Sequence, residues 1–579
     1  MRRAVAVLAV LASLCLALLV PASAFAHAQL LGTSPQSGTT VKAQPKEVIF
    51  KYNQPVGGTV GAVRVYNAQG DQVDNLDVSH PGGNQSWMGV GLKPNLPDGT
   101  YTATYRVISA DTHIVYGGLV FSIGHAGPAP KYTVAGLISK NQTGEVTKLA
   151  FGAVRMLDYL SIALMVGGLI FLFFAWRPAI SALGGAGESA ADATKAFGRR
   201  FGRLLAFAVL LGIAVSVLGI LLQGASAAGV SFWASLKGPI IRDTLHSRFG
   251  TVWGLRAIDW MLLGALLIAA RKLPRARRSL VVLIGLGALY LAMAPALAGH
   301  PSIQSPVVIF FPTNVIHVTA ASIWVGGIAC FLFALPAATR RLAPEDRSRL
   351  LLGTMARFSP FALGAVIAIA ITGVIQAYID VRSVHALFGT TYGLLVVAKV
   401  FLLLFLIGFG TLNRQRILPA LKELVERAAS PGWVGAWARN SFRGELSLML
   451  IVFGVTAALV SYAPPIDAAQ GPVSINTTLG PAELEMTVEP AKVGPNSIHL
   501  YLINAKDGSQ FTATKQLTVT AELPSKRIGP LPLKANLAGP GHYVLSGAEF
   551  SPGGTWEVEI TDRVSAYQQY SKTVTVPIG

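Results

Sequence analysis

The residues best placed to do chemistry in this chain are a histidine that export would expose and an acidic–imidazole pair further along. Arg2 and Arg3 lead into an apolar run from Ala4 to Val20, followed by Pro21-Ala-Ser-Ala-Phe-Ala26. Ala24 and Ala26 are small residues at the −3 and −1 positions of a cleavage site, so residues 1–26 read as a secretory signal. Cleavage would make His27 the first residue, and its α-amine and imidazole could then chelate one metal ion in a single ring. Asp111-Thr112-His113 offers a carboxylate and a second imidazole on one side of an extended segment, because alternate strand residues share a face. If the terminus folds back to meet them, the donors are an amine nitrogen, two imidazole nitrogens and one carboxylate oxygen. That set suits Cu(II) in a tetragonal arrangement, and the absence of thiolate argues against a structural zinc site. Two blander readings stay open: an uncleaved anchor helix, and a surface Asp-Thr-His turn unrelated to the terminus. Of the two cysteines, Cys15 falls in the signal, so the mature chain, left with Cys330, is expected to hold no disulfide.

A second group of reactive residues sits in apolar surroundings. Asp158, Asp259, Lys399 and His317 lie within segments long enough to cross a bilayer, where ionisable groups are expensive and are functional candidates by default. His317 falls about 15 Å into its segment if that segment starts near Val307. His300 and His246 sit near the outer ends of neighbouring segments. Met293, with Met156 or Met165, could add thioethers, which favour Cu(I), although methionine in a span is more commonly core filler. Asp158 and Lys399 either neutralise each other as a structural pair or act separately. His80 and His125 read as ordinary surface histidines.

These residues need elements to position them. Residues 27–124 alternate with period 2 in runs such as Glu47-Val-Ile-Phe-Lys-Tyr52 and Gly99-Thr-Tyr-Thr-Ala-Thr-Tyr-Arg-Val107, broken by Asn67-Ala-Gln-Gly70 and Pro97-Asp-Gly99. This is the pattern of an all-β sandwich. Residues 125–148 read as a linker. Eight apolar segments follow within 149–463, near 149–176, 202–224, 251–270, 279–298, 307–335, 358–379, 392–412 and 446–463, and predict an eight-helix membrane bundle. Residues 464–579 alternate again, as in Ser497-Ile-His-Leu-Tyr-Leu-Ile503, and predict a second β-sandwich.

The chain is 52% apolar and 13% charged, about half the usual charged share of a soluble protein. Its formal charge of +19 lies in short clusters between apolar runs, which is a topology signal and not a nucleic-acid footprint. Arg199-Arg200, Arg271-Lys272, Arg340-Arg341 and Arg414 through Arg443 occupy alternate loops. The positive-inside rule puts those loops in the cytoplasm and both β-rich regions on the outer face of a bacterial plasma membrane.

The opening His27-Ala-Gln-Leu-Leu-Gly-Thr-Ser-Pro-Gln-Ser-Gly38 and the stretch Tyr105-Arg-Val-Ile-Ser-Ala-Asp-Thr-His113 with Gly117 resemble the CopC family of periplasmic copper carriers. The resemblance covers residues 27–124 and implies Cu(II) ligation by His27, Asp111 and His113. Thr112 and Ile114 depart from the Gly and Pro usual in that motif. The region holds one methionine, Met88, so no methionine-rich Cu(I) site is expected there. The membrane region resembles the CopD family through His246-Ser-Arg-Phe-Gly-Thr-Val-Trp-Gly-Leu-Arg256, Gly299-His300, His317-Val-Thr-Ala-Ala-Ser-Ile-Trp-Val-Gly-Gly327 and Thr391-Tyr-Gly-Leu-Leu-Val-Val-Ala-Lys399. Residues 464–579 resemble YtkA-like domains through Gly494-Pro-Asn496, Gly541-His-Tyr543 and Gly554-Thr-Trp-Glu-Val558. The combination implies a copper transport protein working inward, not an enzyme, with copper ions and lipid as partners and a copper chaperone or cuproenzyme as a further candidate. The alternatives are copper sequestration without net flux and, more remotely, oxidative copper chemistry. No G-x-x-x-x-G-K-[ST] run for ATP binding occurs.

Overall fold

The computed structural model describes residues 28, 30–36, 39–58, 61–109, 114–125, 127, 130–132, 134–140, 143–183, 187–462, 464–465, 473–489, 491–505 and 510–578. They form two compact units. One carries the long helices; the other joins both β-rich regions with residues 223–244.

In the β-rich unit, the N-terminal region has strands β1 (Leu30–Ser34), β2 (Thr40–Val41), β3 (Glu47–Tyr52), β4 (Val63–Tyr66), β5 (Trp87–Gly91), β6 (Gly99–Ile108) and β7 (Ile114–Ile123). They pair as two sheets, β1-β3-β5 and β2-β7-β6-β4. In β3 the alternation is literal: Val48, Phe50 and Tyr52 are buried while Glu47, Ile49 and Lys51 are partly exposed. Phe50 and Tyr52 meet Tyr105 of β6 at ring-centroid distances of 4.9 and 5.6 Å, and each such ring contributes roughly 1.5–3 kcal/mol by burial. Gly117, a glycine of the motif noted above, is required by this packing. A Cβ there would lie 2.5 Å from the Tyr105 hydroxyl. The segment expected to be a linker contains a helix, α1 (Val134–Lys140), whose Val134 and Leu137 are buried.

The C-terminal region folds as strands β8 (Val473–Leu479), β9 (Ala482–Glu489), β10 (Gly494–Asn504), β11 (Gln516–Leu523), β12 (Ile528–Leu533), β13 (Asn536–Gly539), β14 (His542–Phe550), β15 (Gly554–Arg563) and β16 (Gln569–Ile578). The sheets are β13-β14-β10-β9-β8 and β12-β11-β15-β16. Between them, Leu484, Met486, Val488, Ile498, Leu500 and Leu502 pack with Trp556, Val558 and Ile560. The first of these sheets is buried on its other face too. Thr487, Glu489, His499, Tyr501 and His542 are all buried there, and Tyr501 clusters with Val120 of β7 and Val134 of α1.

The helices are α2 (Glu145–Ser181), α3 (Glu188–Ala228), α4 (Gly238–His246), α5 (Arg248–Lys272), α6 (Pro274–Leu297), α7 (Val307–Thr339), α8 (Pro344–Val381), α9 (Thr391–Glu426) and α10 (Gly432–Leu459), of which α4 falls almost wholly in the β-rich unit. All but α4 are long and apolar enough to cross a membrane. The helices outrun the apolar segments because they continue into charged ends; α8, for instance, starts at Pro344 and α9 runs on to Glu426. Glycine sets the tightest approach. A Cβ on Gly326 of α7 would lie 2.3 Å from the Ala163 carbonyl of α2, and one on Gly167 would lie 1.8 Å from the Ser322 carbonyl. Small residues thus bring two backbones together where lipid supplies no hydrophobic drive. Gly327 makes room for the Phe358 ring of α8 in the same way. The two glycines of the Trp-Val-Gly-Gly motif are therefore packing residues.

Candidate metal sites and membrane polar groups

His27, Asp111 and His113 lie outside the described residues. Their described neighbours are closely tied. The Ala28 N–H donates to Ser109 Oγ at 2.8 Å, and Gln54 Nε2 donates to the same oxygen at 2.9 Å. Ala28 and Ser109 are both buried. Ile108 pairs with Ile114 at the end of the β6–β7 hairpin and forms an antiparallel bridge with Gly57 on its other edge. Met88 is a core residue, packed under Gly58 and Ala62. His80 donates from Nδ1 to the Trp87 carbonyl at 2.6 Å, and His125, exposed, meets Asp98 at 2.9 Å.

In the membrane region the expected candidates fall into two kinds. Asp158 of α2 forms an ion pair with Arg256 of α5, Oδ2 to Nη1 at 2.9 Å, with both residues at most 2% exposed. The Arg256 guanidinium lies 3.7 Å from the centroid of the Trp253 ring, and that ring lies against Gly219 of α3. The pairing of Asp158 with Lys399 considered from charge alone is not formed. Arg256, one of the residues carrying the CopD resemblance, is the nearer cation because α2 and α5 pack side by side. Lys399 of α9 instead stands within electrostatic range of Asp380 and His317, and Asp380 accepts a 2.8 Å hydrogen bond from the Tyr392 hydroxyl. Asp259 of α5 sits beside Gly287 of α6, where a Cβ would come within 2.9 Å of its carboxylate.

His317 lies on α7 with Nδ1 2.8 Å from Thr372 Oγ1 of α8. The Thr372 hydroxyl proton is already committed, since Oγ1 donates to the Ala368 carbonyl at 2.6 Å. Thr372 must therefore accept, His317 must carry its proton on Nδ1, and Nε2 is left as the lone-pair nitrogen. One turn toward the start of α7, Asn314 donates to Gln376 of α8 at 3.3 Å. Two turns the other way, about 10 Å along the axis, Trp324 Nε1 donates to Glu445 Oε2 of α10 at 3.1 Å. The other Glu445 oxygen accepts from Asn413 Nδ2 of α9. Glu445 is 1% exposed and, with Trp324, Asn413, Arg414 and Ser359, lines a cavity of about 270 Å³. Residues 317 and 324 are seven apart and share a helix face.

Sequence reasoning missed Glu445, although the signal was present: it stands one residue before the eighth apolar segment as read above. Of the other expected residues, His246 is exposed at the end of α4, next to Ser247, which caps α5 by accepting from the Gly250 N–H. His300 is buried in the turn His300–Ser302 before α7, and Met293 is half-buried on α6. These residues are not drawn into one ligand set with His317. Among the described residues no group of three or more His, Cys, Asp or Glu side chains is arranged to hold a metal.

Three stretches of the chain match family models. Residues 30–124 match the CopC domain, residues 146–305 the N-terminal domain of copper resistance protein D-like proteins, and residues 352–459 the CopD (copper resistance protein D) family. The copper transport protein CutJ of Bacillus subtilis (strain 168) is 27% identical over 509 residues, spanning 86% of each chain. Copper resistance protein D of Pseudomonas syringae pv. tomato is 27% identical over 274 residues, 46% of this chain and 86% of that one. The solved CopC of Methylosinus trichosporium OB3b is 25% identical across 17% of this chain and 93% of its own, with a TM-score of 0.15. The chain thus joins a CopC domain to CopD-type domains in one polypeptide, and it is similar along most of its length to a copper transport protein.

Proposed function

We propose that this protein carries copper inward across the plasma membrane, capturing Cu(II) on the outer face and passing copper along α7. The observation that carries the reading is the tautomer of His317. Thr372 holds Nδ1–H and so leaves Nε2 as a ligand nitrogen inside a span. Copper leaving Nε2 finds the cavity bounded by Trp324 and Glu445 two turns further along the same helix face. A carboxylate held by two N–H donors can accept a cation there without rebuilding its surroundings.

Capture at the outer face is assigned to the His27 amine and imidazole, Asp111 and His113. The pinning of Ala28 to Ser109 supports this, because residue 27 is bonded to the first and the Asp-Thr-His segment starts two residues after the second. Adjacent Cα atoms are about 3.8 Å apart, so the covalent chain alone keeps these groups within reach of one another. The topology is supported by the grouping of the chain. Both β-rich regions and residues 223–244, which follow the second span, belong to one compact unit. All three would lie outside if the basic loops lie inside. Met293 favours Cu(I) in the membrane, and that form needs one electron from an external reductant.

The test is uptake of mass-labelled copper into vesicles of known orientation. His317→Ala is expected to slow influx at least 10-fold, with copper still bound at the outer face. Equal influx for variant and wild type, or flux only in the outward direction, would overturn the reading. Copper bound without flux in either protein would leave sequestration as the function.

A further inference from the structure

A larger cavity lies among α2, α3, α5 and α6, and the transport reading does not use it. Its volume is about 1240 Å³, above the range of roughly 300–1,000 Å³ usual for a small-ligand pocket. The walls are apolar, with Leu169 of α2, Leu205 of α3, and Ile284 and Ala288 of α6 among them. Along α6 it runs from Arg277 to Ala292, a length of about 22 Å at the helical rise. One leaflet's share of a hydrocarbon core about 30 Å thick is shorter than that. Trp176 of α2 and Phe197 of α3, both buried, stack at 3.7 Å and 5° to form part of the lining. Gly198 and Gly285 line it as well. A Cβ at either would meet nothing within 4 Å, so the groove is open beside them.

One end of this groove is basic. Arg177, Lys195, Arg199, Arg203, Arg271 and Arg277 line it, all near the α2–α3 and α5–α6 connections. Lys195 is matched by Asp192 at 3.6 Å, which leaves the charge to five arginines. Among the described residues no Asp or Glu lines the groove. Arg177 lies 4.4 Å from the centroid of the Phe173 ring and within electrostatic range of Arg277, a like charge from another helix. Arg271 reaches across from α5. A Cβ on Gly202 would collide with its guanidinium, which therefore lies directly over the α3 backbone. Just before Arg177 the helix widens. The Arg177 N–H donates to the Leu172 carbonyl, five residues back, and Phe171–Trp176 is π-helical. Such turns are frequent at functional sites. Ordinary lipid contact explains apolar walls, and membrane topology asks for basic loops. Neither asks four helices to bring guanidiniums to the end of one apolar groove.

We propose that this groove is a binding site for one anionic phospholipid, with its phosphate on the arginines and its acyl chains along the apolar wall. Charge complementarity selects the headgroup. Guanidinium matches phosphate with two parallel hydrogen bonds, and basic pockets between transmembrane helices bind anionic headgroups on the cytoplasmic side. The charge pattern of the loops puts the arginine end on that side. A zwitterionic lipid would bring its own ammonium to a cluster of like charge. Free phosphate would leave the apolar length of the groove unused. A bound lipid would tie α2 and α3 to α5 and α6 while relieving repulsion among the arginines. His317, Trp324 and Glu445 do not line the groove, so the proposal stands apart from the copper path.

Full-length protein in detergent, mixed with equimolar phosphatidylglycerol and phosphatidylcholine of matched chains, should be read by native mass spectrometry. One phosphatidylglycerol is expected to stay bound, preferred over phosphatidylcholine roughly 10-fold or more. Arg177→Gln/Arg271→Gln/Arg277→Gln should lose that preference. Arg340→Gln/Arg341→Gln/Arg349→Gln, which removes the same charge from the α7–α8 region, should keep it. Gly285→Trp leaves every arginine in place and fills the open space along the acyl track, so it should lose the retained lipid too. If the arginine variant fails to fold, Gly285→Trp decides. Equal retention of the two lipids by the wild type overturns the proposal. So does undiminished phosphatidylglycerol on Gly285→Trp, or displacement of the lipid by inorganic phosphate, which would make the groove an anion site alone. Copper influx is read separately through His317, so the two readings fail independently.

Discussion

Two of the acidic side chains buried in the membrane region, Asp158 and Glu445, are of very different kinds. Asp158 faces a guanidinium at 2.9 Å, and that guanidinium is packed on Trp253, so the charge is matched. Among the described residues no cation forms an ion pair with Glu445; two N–H donors hold its oxygens, and it borders a cavity that Arg414 also lines. A neutralised pair offers a passing cation no net charge. A carboxylate held by neutral donors beside open volume can exchange cations, and the lone-pair nitrogen of His317 stands two turns away on the helix that carries Trp324. Burial in a span is common to both groups, so it is the partner and the free volume that separate scaffold from pathway.

The largest effect should come from breaking the scaffold. Asp158→Asn leaves Arg256 buried without its counter-charge and is expected to destabilise the protein by about 3–5 kcal/mol. The double variant Asp158→Asn/Arg256→Met should recover most of that loss. Thermal unfolding of detergent-solubilised protein gives the stability, and copper influx per folded molecule should stay near wild type. A variant that folds normally but loses flux would place Asp158 on the pathway and erase the distinction. Glu445→Gln should do the reverse. It keeps the shape and alters hydrogen bonds worth about 1–2 kcal/mol, while influx is expected to fall roughly 10-fold, equivalent to about 1.4 kcal/mol in the barrier. Undiminished influx with a lowered melting temperature would make Glu445 a second scaffold residue.

Much of this architecture was legible in the amino-acid order because it is periodic. The eight apolar runs each became a helix long and apolar enough to cross a membrane, and the period-2 segments of both ends became two-sheet regions. What was lost lay where one-dimensional patterns stop. Glu445 and Asp380 sit one residue beyond the apolar runs as read, because helices continue past the residues that make them hydrophobic. Asp158 finds Arg256 and not Lys399 because helix neighbours follow from packing, which the tight Gly167–Gly326 approach helps to set. In β10, alternation separates Ile498, Leu500 and Leu502 from His499 and Tyr501. It cannot tell that the second face is covered as well, so the contact between His499 and His542 was invisible until two strands 43 residues apart in sequence were placed side by side. The outer CopC-type motif was the opposite case. Residue types alone suggest its chemistry, and His27, Asp111 and His113 fall outside the described residues.

The smallest predicted effect is the sharpest test of the contrast, since it alters neither acid nor imidazole. Thr372→Val is close in shape and removes the acceptor that holds the His317 Nδ1 proton. Losing that hydrogen bond costs about 1 kcal/mol and lets the imidazole populate the tautomer in which Nε2 carries the proton and cannot bind a cation. Influx should fall roughly 3- to 5-fold, in line with an energy of that size, and Thr372→Ser, which restores the hydroxyl, should bring it back. If His317 served only to join α7 to α8, as Arg256 joins α5 to α2, then Thr372→Val would lower thermal stability by the same amount and leave influx untouched. Measuring both quantities on the two variants separates a ligand poised by its neighbour from a strut.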